Sequence, residues 1–273
     1  MQDQASIARE LGVAATFDAE REIRDRTSFL KDYLVGSGLS AYVLGISGGV
    51  DSLAAGLLAQ RAVQAARAEG HSATFIAVRL PYGTQADEHD AAAAVATINP
   101  DEVRTVDIQP AADSLMAAVV ASGKGPIARH HFTLGNVKAR QRMVAQYAIA
   151  GAASGLVIGT DHAAEAVMGF YTKFGDGAAD VLPLAGLNKR RVRALASALG
   201  APEQLVWKVP TADLESDAPL RPDEEVYGVT YDQIDDFLEG KQIDGAAAER
   251  ILTAYRASAH KRALPVVASG ADQ

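Results

Sequence analysis

The chain has 273 residues, 26 Lys and Arg against 34 Asp and Glu, a formal net charge of −8 and no cysteine. Zero cysteine excludes a disulfide framework, a thiolate zinc site, an iron–sulfur cluster and a cysteine nucleophile. The acidic balance argues against nucleic-acid binding by bulk charge, and no run of residues approaches the roughly 18 apolar positions of a membrane span. The first thirty residues hold no apolar signal core, so the expected address is the cytoplasm.

In chain order, residues 18–34 read as an opening helix with Ile23, Leu30 and Leu34 on one face. The apolar runs 42–46, 73–80 and 156–158 read as buried parallel strands, with 103–108 a weaker, half-polar fourth. Helical patterns follow at 51–69, closing on Gly70, and at 134–151, 188–199 and 246–259. Strands alternating with helices predict an α/β fold, a Rossmann-like open parallel sheet covered on both faces. Two stretches resist assignment: 81–87, at the carboxyl edge of the sheet, and 209–228, which reads as one long loop. Residues 269–273 are expected to fray, and a single domain is the simplest organisation.

The most informative segment is Leu44-Gly45-Ile46-Ser47-Gly48-Gly49-Val50-Asp51-Ser52. It leaves a strand, crosses small residues and enters a long helix, aiming backbone N–H groups and a helix dipole at one point. Gly48 and Gly49 allow an anion to approach the backbone, while Ser47 and Ser52 add hydroxyls. Asp51 beside a phosphate calls for Mg²⁺ between them. The plainer alternative is a tight βα turn with Asp51 or Ser52 capping the helix. There is neither a Walker A nor a GxGxxG pattern.

The loop resembles the SGGxDS loop of the N-type ATP pyrophosphatases, which holds the pyrophosphate of ATP while a substrate oxygen attacks the α-phosphate. Further blocks narrow the resemblance: 135–143 (GNVKARQRM), 156–165 (LVIGTDHAAE), 170–180 (FYTKFGDGAAD), 187–189 (LNK), 210–214 (PTADL) and the pair His260-Lys261. In that order and spacing, over roughly residues 20–265, they resemble the ammonia-dependent NAD synthetases. The chain departs from the family at His131, where an acidic residue is usual; the pair His130-His131 reads as loop.

The resemblance implies Asp51 and Glu165 as Mg²⁺ ligands, and Asp51, Glu165, Lys189 and Asp176 as catalytic residues. It implies ATP contacts from residues 45–52 (Gly45 through Ser52), Arg79, Gln85, Thr160, Lys189 and Thr211. It implies deamido-NAD⁺ contacts from Tyr33, Phe132, Arg140, Tyr147, Phe170, Lys173, Asp180, His260 and Lys261. Each has a plainer reading beside it. Glu165 suits the first turn of any helix, Lys189 with Arg190, Arg191 and Arg193 suits a solvated basic face, and the aromatic side chains suit a core. The acids Asp87, Glu88 and Asp90 read as a helix start.

The implied reaction is ATP-dependent amidation of deamido-NAD⁺ with ammonia, giving NAD⁺, AMP and pyrophosphate through an acyl adenylate. ATP and Mg²⁺ are the implied co-substrate and metal, and the implied assembly is a homodimer with the dinucleotide site at its interface. The loops at 82–87 and after Thr211 are expected to close over the adenylate, Asp217 to Arg221 being the stretch to trim. Without cysteine and with this length, no glutaminase domain is expected, which leaves free ammonia as the nitrogen source. Two alternatives stand beside this reading: another amide-forming member of the superfamily, or a non-catalytic adenine-nucleotide-binding module.

Overall fold

The computed structural model describes residues 4–84, 88–123, 130–211, 222–263 and 265–266. The chain begins with α1 (Gln4–Glu10), α2 (Ala19–Ser37), β1 (Ala41–Gly45), α3 (Val50–Ala68), β2 (Thr74–Arg79), α4 (Glu88–Ile98) and β3 (Glu102–Thr105). It continues through α5 (Gln109–Ser122), α6 (His130–Ala152), β4 (Gly155–Val157), α7 (Ala163–Met168), α8 (Lys189–Ala198) and α9 (Glu203–Val206). It closes with α10 (Asp223–Tyr227), α11 (Tyr231–Leu238), α12 (Gly245–Ala257) and α13 (Ala259–Arg262).

The four strands form one parallel sheet in the order β3-β2-β1-β4. Alternation of side chains divides them cleanly between two layers. Tyr42, Leu44, Phe75, Ala77, Leu156 and Ile158 face the core built with α2, α3 and α8. Ala41, Val43, Ile76, Val78 and Val157 face the other side, against Ile108 and, from α6, Ile149 and Ala150. A third cluster packs α7, α11 and α12 against Ile7 of α1. β3 is the edge strand, and its alternating exposure explains the half-polar sequence.

Local chemistry sets the element ends. Asp18 caps α2 by accepting from Arg21 N at 2.8 Å, and Gly38 closes it in a left-handed conformation. The Tyr42 hydroxyl donates to Leu30 O at 2.7 Å, tying that helix to the central strand. Two expectations need correction. His130 and His131 form the first turn of α6 rather than loop. The stretch read as one loop over 209–228 contains the helix α10, and Thr211 bridges to Pro222; residues 212–221, the presumed lid among them, lie outside the described residues, as do Gln85, Asp87 and the tail 269–273.

The sheet order fixes where a ligand sits. From β1 the chain moves to β2 and β3 on one side, then returns to β4 on the other. The carboxyl ends of β1 and β4 therefore open a crevice at the switch point, the site where open α/β sheets bind ligands.

Candidate active site

A cleft of about 440 Å³ occupies that crevice. Its walls are the loop after β1, the turn after β4, the end of β2, α6, the segment 169–178 and the start of α8. Of the residues singled out from sequence, Gly45, Ile46, Ser47, Gly49, Val50, Asp51, Ser52, Arg79, Thr160, Glu165, Lys189 and Thr211 line it, as do Phe132, Phe170, Asp176 and Lys261.

The loop itself is braced by its own hydroxyls. Ser47 Oγ accepts from Gly49 N at 3.2 Å, and Ser52 Oγ donates to Gly49 O at 3.1 Å and accepts from Ser47 N at 3.3 Å. Gly49 is the N-cap of α3 with no side-chain cap, so Asp51 and Ser52 do not cap the helix. Gly48 plays a different part from the one expected of it. Its φ is +85°, and a Cβ there would stand 2.7 Å from Ala91 N of α4. Gly48 admits a neighbouring helix, and Gly49 faces the cleft.

Asp51 reaches Lys189, whose Nζ donates to both carboxylate oxygens at 2.9 and 2.7 Å. Lys189 is only 1% exposed. Its backbone is fixed first: Asn188 caps α8, and Asp235 of α11 accepts from Lys189 N at 3.0 Å and Arg190 N at 2.7 Å. The run of cations thus splits. Arg190 turns outward to Asp232, Asp236 and Glu239, while Lys189 points into the cleft. Sequence reasoning missed His162, which is buried with Nε2 3.4 Å from Asp51 Oδ1 and 3.6 Å from Glu165 Oε1.

Electrostatics here are strongly displaced from water. Burial alone raises a carboxyl, but Lys189 and His162 hold Asp51 well below the usual range. Glu165 lies near His162 but makes no hydrogen bond to Lys189, and burial with the Asp51 charge pushes it up to about 8 against the pull of His162 and Lys189. Asp176 is raised by burial, against the pull of the Thr172 amide it accepts from at 2.9 Å. Lys261, whose Nζ donates at 2.7 Å to both Gly169 O and Tyr171 O, is lowered by burial.

Asp51, His162 and Glu165 bring three ligand atoms within 4.8 Å of one another. Both ring nitrogens of His162 lack a hydrogen-bond partner, and burial raises the Glu165 carboxyl. Two carboxylates with that deficit suit a hard divalent cation such as Mg²⁺, so the residues fit the metal expected from sequence.

Other expected residues lie outside the cleft wall. Arg140 donates to Lys173 O at 3.2 Å, and Lys173 Nζ donates to His260 O at 2.6 Å, joining α6, the 170–180 segment and α13. Asp180 accepts from Val157 N at 2.7 Å and shares a hydrogen bond with Tyr147, whose hydroxyl is raised by burial. Tyr33 is exposed on α2 beside Phe29. Gln146 and Arg142, not singled out from sequence as ligand contacts, brace the sheet ends: Gln146 Oε1 accepts from Gly45 N at 2.7 Å, and Arg142 Nε donates to Leu80 O at 3.0 Å.

Known proteins place this architecture. The family model described as NAD synthase matches residues 22–265. An NH(3)-dependent NAD(+) synthetase of Burkholderia pseudomallei (strain K96243) is 62% identical over 269 residues, covering 96% of this chain and 95% of that protein. The crystal structure of NAD+ synthetase from Burkholderia pseudomallei is similar at TM-score 0.83 and 59% identity, over 97% of this chain and 99% of the other. NMN synthetase from Francisella tularensis is similar at TM-score 0.82 and 35% identity, over 93% of this chain and 100% of the other. With its sheet order, its braced loop and its Asp51–Lys189 cleft, the chain belongs to the NAD synthase family.

Proposed function

We propose that the chain is an ammonia-dependent NAD⁺ synthetase acting as one catalytic domain in the cytoplasm, and that the residues of the cleft divide the work. Among the described residues no helix is long and apolar enough to cross a membrane. The observation that carries the reading is the convergence of the Ser47–Ser52 loop, Asp51, Glu165, Thr160 and Lys189 on one crevice at the switch point of the sheet.

The reaction joins two anions, so positioning and charge neutralisation dominate. The loop amides and Lys189 receive the phosphates of ATP, with Thr160 and Thr211 as hydroxyl contacts and Arg79 at the nucleotide edge. Asp51 and Glu165 hold Mg²⁺, which supplies further neutralisation of the phosphates when bound. The nicotinate carboxylate oxygen of deamido-NAD⁺ forms a bond to the α-phosphorus as the bond to pyrophosphate breaks. Ammonia then adds its lone pair to the acyl carbon, the bond to AMP breaks, and the nitrogen sheds a second proton to leave the amide. Ammonium must first lose a proton, and the reading assigns that proton to Asp176, a cleft carboxyl raised by burial.

Phe132, Phe170 and Lys261 serve the dinucleotide from the cleft side. Tyr33, Arg140, Tyr147, Lys173, Asp180 and His260 serve it from beyond the wall, a division that suits a dinucleotide extending into a homodimer interface. Exposed Leu115, Val119 and Val120 of α5 and Val144 of α6 support a partner surface there. Sedimentation as a fully active monomer would refute the dimer.

The test is incubation with ATP, Mg²⁺, ammonium and deamido-NAD⁺, followed by detection of NAD⁺, AMP and pyrophosphate in equal amounts. A parallel arm replaces deamido-NAD⁺ with nicotinic acid mononucleotide, because one relative is an NMN synthetase. ATP binding without dinucleotide-dependent AMP would identify a nucleotide-binding module instead.

A further inference from the structure

Behind Lys189 lies a second carboxylate that the reading above does not use. Asp223 opens α10, lines the cleft and is 6% exposed. One oxygen, Oδ2, accepts from the Tyr231 hydroxyl at 3.0 Å, and Tyr231 in turn lies 3.1 Å from the Tyr227 hydroxyl. The other oxygen, Oδ1, is buried with no hydrogen-bond partner. An orphaned carboxylate oxygen inside a protein is costly and calls for a donor or a cation.

Lys189 packs against the same tyrosine. Its Nζ lies 5.0 Å from the Tyr231 ring centroid, and the Tyr231 hydroxyl is the group that holds Asp223. Lys189 Nζ donates its two side-chain hydrogen bonds to Asp51. If Asp51 is to face a metal ion and a phosphate, that ammonium has to go elsewhere, and a buried lysine cannot stand unpaired. We propose that Asp223 is a second anionic seat for the Lys189 ammonium, held ready by Tyr231, so that Lys189 leaves Asp51 without losing a counter-charge. Asp223 is thus a positioning residue acting through Lys189.

The inference rests on the synthetase reading only for the occasion of the transfer; the paired seats themselves are properties of the free protein, and they are tested there. Thermal unfolding of Asp51→Asn, Asp223→Asn and the double variant, without substrates, forms a double-mutant cycle. Either single change leaves Lys189 one seat, so each loss is small. The double change leaves both seats empty, and its midpoint falls about 6 °C or more beyond the sum of the singles. In a Lys189→Met background, Asp223→Asn no longer lowers the midpoint, because the carboxylate has lost its cation. Should the double variant not accumulate as folded protein, that background comparison decides. An additive cycle, or an Asp223→Asn loss unchanged by Lys189→Met, overturns the proposal. Neither result bears on NAD⁺ formation, which is assayed separately, so failure here and failure of the synthetase reading remain distinct.

Discussion

The two glycines of the loop make a sharp contrast. Gly48 is buried, sits at φ +85° and approaches α4 so closely that an added Cβ would stand 2.7 Å from Ala91 N and 3.0 Å from Ala91 Cα. Those are backbone atoms and cannot swing aside. Gly49 has an ordinary extended backbone, φ −82° and ψ 158°, and its Cβ would meet only Ser47 Oγ at 3.4 Å. For Gly48→Ala, the left-handed conformation costs roughly 1–2 kcal/mol. Forcing α4 away adds roughly 1–3 kcal/mol, as overpacking does elsewhere. The expected loss is about 2–5 kcal/mol, a large share of the roughly 5–15 kcal/mol that holds a domain folded. Gly49→Ala is expected to cost well under about 1 kcal/mol, the ordinary penalty at an N-cap. It should instead weaken ATP binding, because its methyl projects into the cleft where the proposed reading seats the phosphates. Urea unfolding followed by circular dichroism gives the stabilities, and titration calorimetry with ATP gives the affinities. A Gly48→Ala protein within about 0.5 kcal/mol of the parent, the scatter of neutral surface changes, would refute the close approach of α4 as the reason for this glycine.

Asn188→Ala removes the cap that accepts from Arg191 N at 3.0 Å and the donation to Glu239 at 2.8 Å; it should cost about 1–2 kcal/mol in unfolding experiments and lower NAD⁺ formation as Lys189 loses its footing. Tyr42→Phe removes the 2.7 Å bond to Leu30 O and should cost about 0.5–1.5 kcal/mol while leaving KM values unchanged. The Asp161 carboxyl is pushed up to about 7 by burial and by Asp176. Its folded value lies above its unfolded value near 3.8, so the folded state binds the extra proton between them and stability falls as pH rises through that window. Asp161→Asn should therefore flatten the stability curve between about pH 4 and 7, and an unchanged slope in denaturant titrations across that range would refute the assignment.

Much of this was legible because strong local signals agreed with the global fold. Apolar runs flanked by small residues marked three buried strands, and the edge strand was weak for a physical reason, its alternating exposure. The loop after β1 combined a strand end, small residues and a helix start, and the structure places it at the switch point. Lys189 was less legible, since four cations in five residues look like a solvated face. The signal lay in spacing: Lys189, Val192 and Ala196 share a helical stripe and all are buried. Asp223 fell inside a stretch read as loop, although Pro222 followed by three acids is a helix-start pattern. His162, the N-cap of α7, lies three residues before Glu165 in its first turn, a local spacing that could have marked the pair, while Asp51 meets it only through the pairing of β1 with β4.

A chain of net charge −8 that receives two polyanions shows no field of free cations among the described residues of its cleft. The cations that line the cleft are already engaged. Arg79 is forked onto Glu88 at 3.0 and 2.8 Å, Lys189 onto Asp51, and Lys208 onto Asp90 at 2.7 Å; Lys261 is held by two carbonyls. These pairings keep buried and half-buried positive charge in place before any ligand arrives, each carboxylate offsetting part of the cost of desolvating its cation. A phosphate entering such a site exchanges partners; it does not simply neutralise bare charge. The exchange favours a ligand that brings its own cation, because each carboxylate it displaces from a lysine or arginine must then be satisfied. Glu165 and Asp51 show the demand most plainly: burial raises the one, and the other is held ionised by Lys189 and His162. In the proposed reading, that is why the acidic chain binds ATP as its magnesium complex, and why the global charge misleads while the local arrangement does not.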